Sequence, residues 1–471
     1  MLSLTCRRRP GRLFALLCCT ALAAASVRVP DPARAQEGQG GRKESVAVIR
    51  DAETETLLRT YADPLFRAGG LDPGLVRIIL INDPAINSFV STGNRMFLNT
   101  GLIEQADSAV ELIGVMAHET GHVIGGHLSK LPDAMRQALY ESIAAMLLGL
   151  AAGIAGRGYG SGDAAAGIML GGTQMAQRQV LSFSRAIEAS ADQSAMRVLD
   201  RLCWSAAGLL DLFHKLEGQE ALVAEMQDPY VRTHPLTAER IAYVQNHVET
   251  SPCSQHALPA GWDTSFQMVK AKLIGFLQFP ADVARQYPAS DRSAAARYAR
   301  AIMLYRQGHT DSALELMNGL LAEQPGNPWL LELKGQILFE GGRGQEALAP
   351  YWMAARLAPD QALIAQELAH AEIETDDPRL LRPAIARLQS ALAREREDAF
   401  SWHELGVAWG RLGNMGEADL ALAEAAMLKG DIKGARELAR RAQAELPPGP
   451  ARLRALDIGN AVKKENRVPE Q

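Results

Sequence analysis

A spacing of 34 residues governs the second half of the chain and limits its fold more than any other feature of the sequence. Ala301, Tyr305, Gly308, Ala313 and Pro325 recur as Gly335, Phe339, Gly342, Ala347 and Pro359, each 34 positions later. Gly406, Gly413 and Ala418 repeat the internal offsets of Gly335, Gly342 and Ala347, with Trp402, Leu405 and Trp409 around them. Between these marks run amphipathic stretches rich in Ala, Leu and Glu, so one period holds two helices and a turn. Small side chains where the helices cross let them approach closely, and the glycine lets the chain reverse between them. One unit cannot bury its apolar face alone, whereas stacked units can, so a quasi-linear helical array is expected from about Ser293 onward. A copy at 361–397 fits less closely, and Asp376-Asp377-Pro378 reads as a short insertion.

This is the spacing of the tetratricopeptide repeat. It makes residues 290–446 an all-α solenoid and leaves 447–471 as a C-terminal tail. At the other end, MLSLTCRRRPGR is basic, LFALLCCTALAAASV is a short apolar run, and Ala33-Arg34-Ala35 is a small-x-small cleavage site. That is the layout of a secretory signal peptide, residues 1–35, with export and cleavage near Ala35. The apolar run is too short for a comfortable bilayer span. Arg7, Arg8 and Arg9 suggest a twin-arginine route, but Pro10 stands where an apolar pair is wanted. Cys18 and Cys19 lack the preceding small residue of a lipoprotein start.

Cleavage removes six arginines and one aspartate and leaves 43 basic and 53 acidic side chains. A balance so negative argues against nucleic acid as the main partner. Of five cysteines, Cys203 and Cys253 remain. An even count in an oxidising compartment favours a disulfide between them over two unrelated buried thiols.

Ahead of the repeats, Gln36 to Lys43 is a polar, Gly-rich start, and 45–68 has helical apolar spacing. RIILIND (77–83), AINSFVS (85–91) and RMFLNTGL (95–102) are short β-branched and apolar runs divided by Asp83-Pro84 and Gly93-Asn94. They read as a small antiparallel β-sheet. Ala109 to Lys130, 180–200 and 205–216 read as helices. The Gly/Ala-rich segment 143–172 holds two apolar runs, each too short for a membrane span. It suits either a buried helical hairpin packed through small residues or a mobile lid in peripheral contact with a membrane.

The chemistry gathers in VMAHETGHVIGGH, Val115 to His127. On a helix, positions four apart lie on one face, so His118 and His122 can present two imidazoles to one ion. Glu119 stands about 100° round from His118, beside the metal, where a carboxylate can take a proton from water. Hydrolytic zinc sites use three protein ligands and keep one position open. His127, nine residues from His118, falls on roughly the opposite face and reads as a structural or surface histidine.

A third ligand must come from elsewhere. Ser182 to Leu199 is a second helix with Glu188 and Asp192 four apart. Glu188 as ligand and Asp192 as hydrogen-bond partner of a ligating histidine would complete the site; an exposed acidic pair is the alternative. Small residues Ala189, Ser190, Ala191 and Ala195 around them favour close packing. THPLTAERI places His234 before Pro235 in a turn or extended segment. There it could occupy the open position, stabilise an oxyanion, or simply face solvent.

HETGH, SRAIEASAD, THPLTAERI and the upstream AINSFVSTGNRMFLNTGL, in that set, resemble the metallopeptidase family that includes the CAAX prenyl endoproteases. An export signal and a tetratricopeptide tail resemble its soluble periplasmic branch, from about residue 45 to 445. The resemblance implies a mainly α, gluzincin-like metallopeptidase domain over residues 36–285, ahead of the solenoid. It implies one Zn2+ per chain on His118, His122 and Glu188, with Glu119 as general base and Asp192 supporting the histidines. His234 would cap the zinc at rest, and Arg240 matches an arginine of the same segment. The strand around Asn87 to Val90 would be the edge to which a substrate peptide adds. The implied function is a periplasmic zinc endopeptidase in outer-membrane protein quality control, its repeats docking unfolded or stalled clients or the barrel-assembly machinery. A chaperone or scaffold with a latched zinc site is the rival reading.

Overall fold

The computed structural model describes residues 25–26, 47–91, 93–127, 184–219 and 227–465. The expected leader (save Ala25 and Ser26), the polar start and segment 143–172 lie outside the described residues. Among the described residues, no helix is long and apolar enough to cross a membrane.

The sheet has five short strands: β1 (Ala25–Ser26), β2 (Ala47–Ile49), β3 (Arg77–Ile81), β4 (Ser88–Ser91) and β5 (Arg95–Asn99), in the order β1-β2-β3-β5-β4. It is mixed, where the sequence suggests a purely antiparallel arrangement: β3 and β5 run parallel, with Ile79 opposite Phe97. The reason is the turn at Gly93 and Asn94, both at positive φ, which folds β4 antiparallel onto β5. Residues 82–87 and β4 then act as the crossover that parallel strands require, and β4 is left at the edge. Residues 45–50, expected as helix, include strand β2. The helix α1 (Ala52–Ala68) starts only where the Asp51 side chain accepts the Thr54 N–H. Leu57, Leu58, Tyr61 and Leu65 give it a buried stripe.

Five further helices complete this half: α2 (Thr100–Gln105), α3 (Ala109–Gly125), α4 (residues 184–202), α5 (Ala207–Leu216) and α6 (Pro229–Thr233). Next come α7 (Ala238–Thr250), α8 (Trp262–Leu277) and α9 (Pro280–Gln286). α3 stops at Gly126, a left-handed cap, short of the expected Lys130. The Cys203–Cys253 disulfide ties the end of α4 to the chain after α7 and closes 50 residues. Nearby, Asp200 accepts hydrogen bonds from Ser251 and from His247. By loop-closure entropy the bridge contributes about 2–4 kcal/mol. A Cys203→Ser/Cys253→Ser protein should lose that much in urea unfolding, and an unchanged midpoint would show the two segments to be held by packing alone.

The repeats are antiparallel helix pairs: α10 (Ala294–Arg306) with α11 (Thr310–Glu323), α12 (Pro328–Glu340) with α13 (Gly344–Leu357), α14 (Ala362–Glu374) with α15 (Pro378–Arg394), and α16 (Ala399–Arg411) with α17 (Met415–Leu428). α18 (Ile432–Glu445) and α19 (Pro450–Glu465) extend the array, so a helix occupies most of what the sequence presents as a tail. Gly308, Gly342 and Gly413 turn the chain at φ near +80°. In the third copy Asp376 takes that place at φ 56°, 34 residues after Gly342. The register therefore holds at Asp376, and the three extra residues lie in α15, which has 17 residues where α11 and α13 have 14. A side chain at Gly335 would strike the Tyr351 ring at 2.8 Å, which is the close crossing the small-residue pattern anticipates.

The two halves meet around the start of α1. Ala52 packs with Ala354 and Ile364 of the solenoid, and Arg50 bridges Glu55 and Glu395 at 2.6 and 2.7 Å. Beneath them Lys272 of α8, 4% exposed, pairs with Asp51 and lies 3.4 Å from Glu53 and 3.5 Å from Glu332 of α12. Tyr298 of α10 donates to Glu53 at 2.9 Å. Burial pushes the Glu53 carboxyl up to about 7 against the pull of Lys272.

Candidate metal centre

α3 is buried from Leu112 through His122 because its apolar residues face the sheet and α1 on one side and α5 on the other. Two glycine contacts set its neighbours. At Gly208, a Cβ would lie 2.2 Å from the Val110 backbone, so α5 crosses α3 at backbone contact. At Gly121, inside HETGH, a Cβ would lie 2.4 Å from the carbonyl oxygen of Ala191. That contact presses α4 onto the histidine face of α3 and delivers Glu188 and Asp192, both buried, to His118 and His122.

The ligand atoms converge. His118 Nε2 and His122 Nε2 are 3.1 Å apart. Glu188 puts Oε2 at 3.3 Å from the first and Oε1 at 3.4 Å from the second. His234, the C-cap of α6, places Nδ1 at 3.4 Å from His118 Nε2 and 3.2 Å from Glu188 Oε2. One ligand atom from each of His118, His122, Glu188 and His234 lies within 4.8 Å of every other.

Two observations test whether a metal ion fits. His118 Nδ1 lies 2.8 Å from Asp192 and donates to it, which leaves the Nε2 lone pair facing the cluster. Zinc bonds of about 2.0–2.1 Å in a tetrahedron separate ligand atoms by roughly 3.3 Å, the spacing found here. Bare lone pairs and carboxylate oxygens held so close repel unless protons or a metal cation lie between them. The residues fit a divalent ion of the zinc type.

Electrostatics point the same way. Burial opposes a charged imidazole at His118, yet hydrogen bonds to Asp192 and Glu188 outweigh it and raise its pKa to about 9, so without a metal ion Nε2 carries a proton toward Glu188, which a bound cation would displace. Burial alone would push Glu188 up, but His234 and the imidazole hydrogen bonds hold its carboxyl well below the usual range. Asp192 is likewise held low despite burial, chiefly by Arg240. At His122, burial prevails and the pKa is lowered, which keeps a lone pair available. The pocket is built to stabilise positive charge.

Arg240, whose part the sequence leaves open, is a central tie. It grips Asp192 with Nε at 2.7 Å and Nη2 at 3.0 Å, reaches Glu188 with Nη1 at 3.0 Å, and donates to the Pro235 carbonyl at 2.9 Å. Its guanidinium also stacks over Phe213 at 4.9 Å. Glu119 sits beside the cluster with Oε1 accepting from Ser88 Oγ at 2.7 Å, while its Oε2 is buried with no hydrogen-bond partner among the described residues. His234 donates Nε2–H to the Ser88 carbonyl at 3.0 Å, so it lies across edge strand β4.

His127 departs from the helical-wheel expectation. α3 ends at Gly125, the left-handed Gly126 turns the chain, and His127 folds back with Nδ1 at 3.2 Å from His122 Nδ1. Helical spacing no longer applies beyond that cap. Sequence reasoning also passed over Ser88, Gly121 and Tyr230. Period-two alternation marks Ser88 and Val90 as the inward face of β4. Gly121 is the one small residue of HETGH opposite Ala191. Tyr230, packed on the His234 ring at 4.7 Å, had no signal in the sequence.

Gly121→Ala should weaken zinc binding about 10–100-fold, the range for displaced supporting groups. Competition with a chromophoric chelator would read this, and wild-type affinity would mean that α4 can shift without moving Glu188.

Residues 51–248 match the family described as Peptidase family M48. The β-barrel assembly-enhancing protease of Escherichia coli (strain K12) is 27% identical over 382 residues, which span 79% of this chain and 74% of that protein. The protein of the same name from Yersinia pestis is 26% identical over 383 residues, 79% of this chain and 75% of that one. Metalloprotease LoiP of Escherichia coli (strain K12) is 29% identical over 209 residues, 44% of this chain and 75% of that one. The described centre falls inside the matched region, and the repeats lie beyond it. Residues 51–248 thus match peptidase family M48, on a chain similar over most of its length to β-barrel assembly-enhancing proteases.

Proposed function

We propose that the protein is a periplasmic zinc endopeptidase for unfolded or stalled outer-membrane proteins, divided near residues 285–290 into a catalytic domain and a repeat domain that docks clients or the barrel-assembly machinery. The convergence of His118, His122, Glu188 and His234 on one point, with Glu119 beside it, carries this reading. The names of the relatives supply the client class.

A bound zinc ion supplies Lewis-acid polarisation of a carbonyl and a lowered pKa for water. The chain does the rest. Ser88 holds Glu119 Oε1, so the partnerless Oε2 is free to accept the proton of an attacking water and return it to the leaving amine. Asp192 keeps His118 in the tautomer that offers Nε2, and Arg240 keeps Asp192 and Glu188 ionised and in place. Edge strand β4 receives the substrate backbone as an added strand.

His234 is the latch. Three of the four converging groups sit on long helices, whereas His234 ends a five-residue helix before a proline. Its hydrogen bond to the Ser88 carbonyl also occupies the strand edge a substrate needs. The same contact favours a second reading, a chaperone or scaffold whose site rarely opens. A His234→Ala protein distinguishes them in an assay on casein or an unfolded outer-membrane barrel. The protease reading expects several-fold faster cleavage, and no gain over wild type would remove the latch.

A further inference from the structure

We propose that the groove between α18 and α19, at the end of the solenoid, binds a carboxylate-rich protein segment that also carries an apolar side chain. The groove encloses about 630 Å³. Lys433, Arg436 and Arg440 line it from α18, at i, i+3 and i+7 on one helix face. Leu456 and Asn460 face them from α19. Among the described residues Glu437 is the one carboxylate in the lining, so they give the groove an excess of positive charge on a chain whose formal charge is −5.

What sets these three cations apart is how their neighbours are used. Arg441 is ion-paired to Asp419, and Arg454 reaches Glu424 at 2.8 Å, so both are committed to fastening α18 and α19 onto α17. Lys433, Arg436 and Arg440 form no ion pair among the described residues and are exposed. Gln443 donates to the Ala455 carbonyl at 3.0 Å, bracing the two helices across the groove. Gly459 leaves the floor open, since a Cβ there would meet Gln443 Nε2 at 3.3 Å.

The apolar requirement comes from α19. The last helix of a solenoid normally turns a polar face to water. Here Leu456, 40% exposed, lies in the groove beside the cations, and Leu453, 62% exposed, stands one turn earlier on α19. Carboxylates complement the ammonium and guanidinium groups, bidentately at the arginines, and an apolar side chain covers the leucines. A concave groove of this volume suits side chains of a single segment better than a flat lipid surface. The site is remote in sequence from the metal centre, and its variants should leave peptide hydrolysis unaltered.

Fluorescence anisotropy with the full chain tests this, using a labelled peptide of repeated Glu-Glu-Leu units. Controls are the peptides with Lys for Glu and with Ser for Leu. The expected result is saturable binding of the first peptide, weakened by salt and about tenfold or more weaker in Arg436→Glu/Arg440→Glu. Gly459→Leu, which fills the floor, should weaken it comparably, while Arg292→Glu at the start of the solenoid should not. Arg436→Gln/Arg440→Gln gives the same reading if charge reversal disturbs folding, which a thermal melt monitors. Equal binding by wild type and the double variants, or no binding, would overturn the proposal. So would capture by phosphatidylglycerol vesicles with no preference for the acidic peptide, which would make this a membrane face.

Discussion

Glu119→Gln should lower hydrolysis of unfolded protein by about 10²–10⁴-fold, the usual worth of a positioned general base, while the protein retains its zinc. The two halves of that expectation rest on different atoms. The ion is to be held by His118, His122 and Glu188, none of which depends on Glu119 for its placement. An amide preserves shape and can still accept from Ser88, so the fold should be undisturbed. What it cannot do is take a proton on the atom corresponding to Oε2, which in the native chain is buried and without a partner. Metal content by mass spectrometry and cleavage of casein should be measured on one preparation. Cleavage within a few-fold of wild type, with zinc bound, would eliminate Glu119 as the base.

The second large effect lies away from the chemistry. Lys272→Met should destabilise the protein by about 3–5 kcal/mol, as removal of one partner from a buried ionic cluster does. Asp51, Glu53 and Glu332 would be left buried together without their cation. The loss should depend on pH. Without Lys272 the carboxyls titrate higher in the folded than in the unfolded chain, so the folded state holds extra protons above the ordinary carboxylate range and stability falls as pH rises through that window. The penalty is therefore small near pH 5 and largest near pH 8. Urea unfolding at the two pH values reads it, and a pH-independent loss below about 1 kcal/mol would mean water reaches the cluster.

Much of this was legible because it depends on short-range regularities. Four-residue spacing placed His118 with His122 and Glu188 with Asp192, and small residues at 189–191 signalled the helix contact that joins the pairs. The 34-residue period located the repeats, since each helix pair packs mainly on its sequence neighbours. What escaped depends on how separate segments meet. Gly93-Asn94 marks the β4–β5 hairpin, but nothing local says that β3 then runs parallel to β5. Helical spacing placed His127 away from His122 because it assumes the helix continues, whereas Gly126 ends it. Asp376 looked like the start of an insertion because it is not glycine, yet it adopts the left-handed turn at the glycine position. The Lys272 cluster was invisible, being assembled from α1, α8, α10 and α12.

The staple between Cys203 and Cys253 bears on how an active centre of this kind could open. It fastens the far end of α4, and Arg240 clamps the near end of α7 to Asp192 on the same helix. α7 is thereby tied to α4 at both of its ends, at Asp192 in the middle of α4 and at Cys203 just beyond it, and the two should travel as one piece. Any excursion of His234 is confined to the few residues of α6 and the proline turn after it. On the proposed latch, gating would be a swing of one short arm over a fixed ion cradle, leaving in place the groups that would hold the zinc.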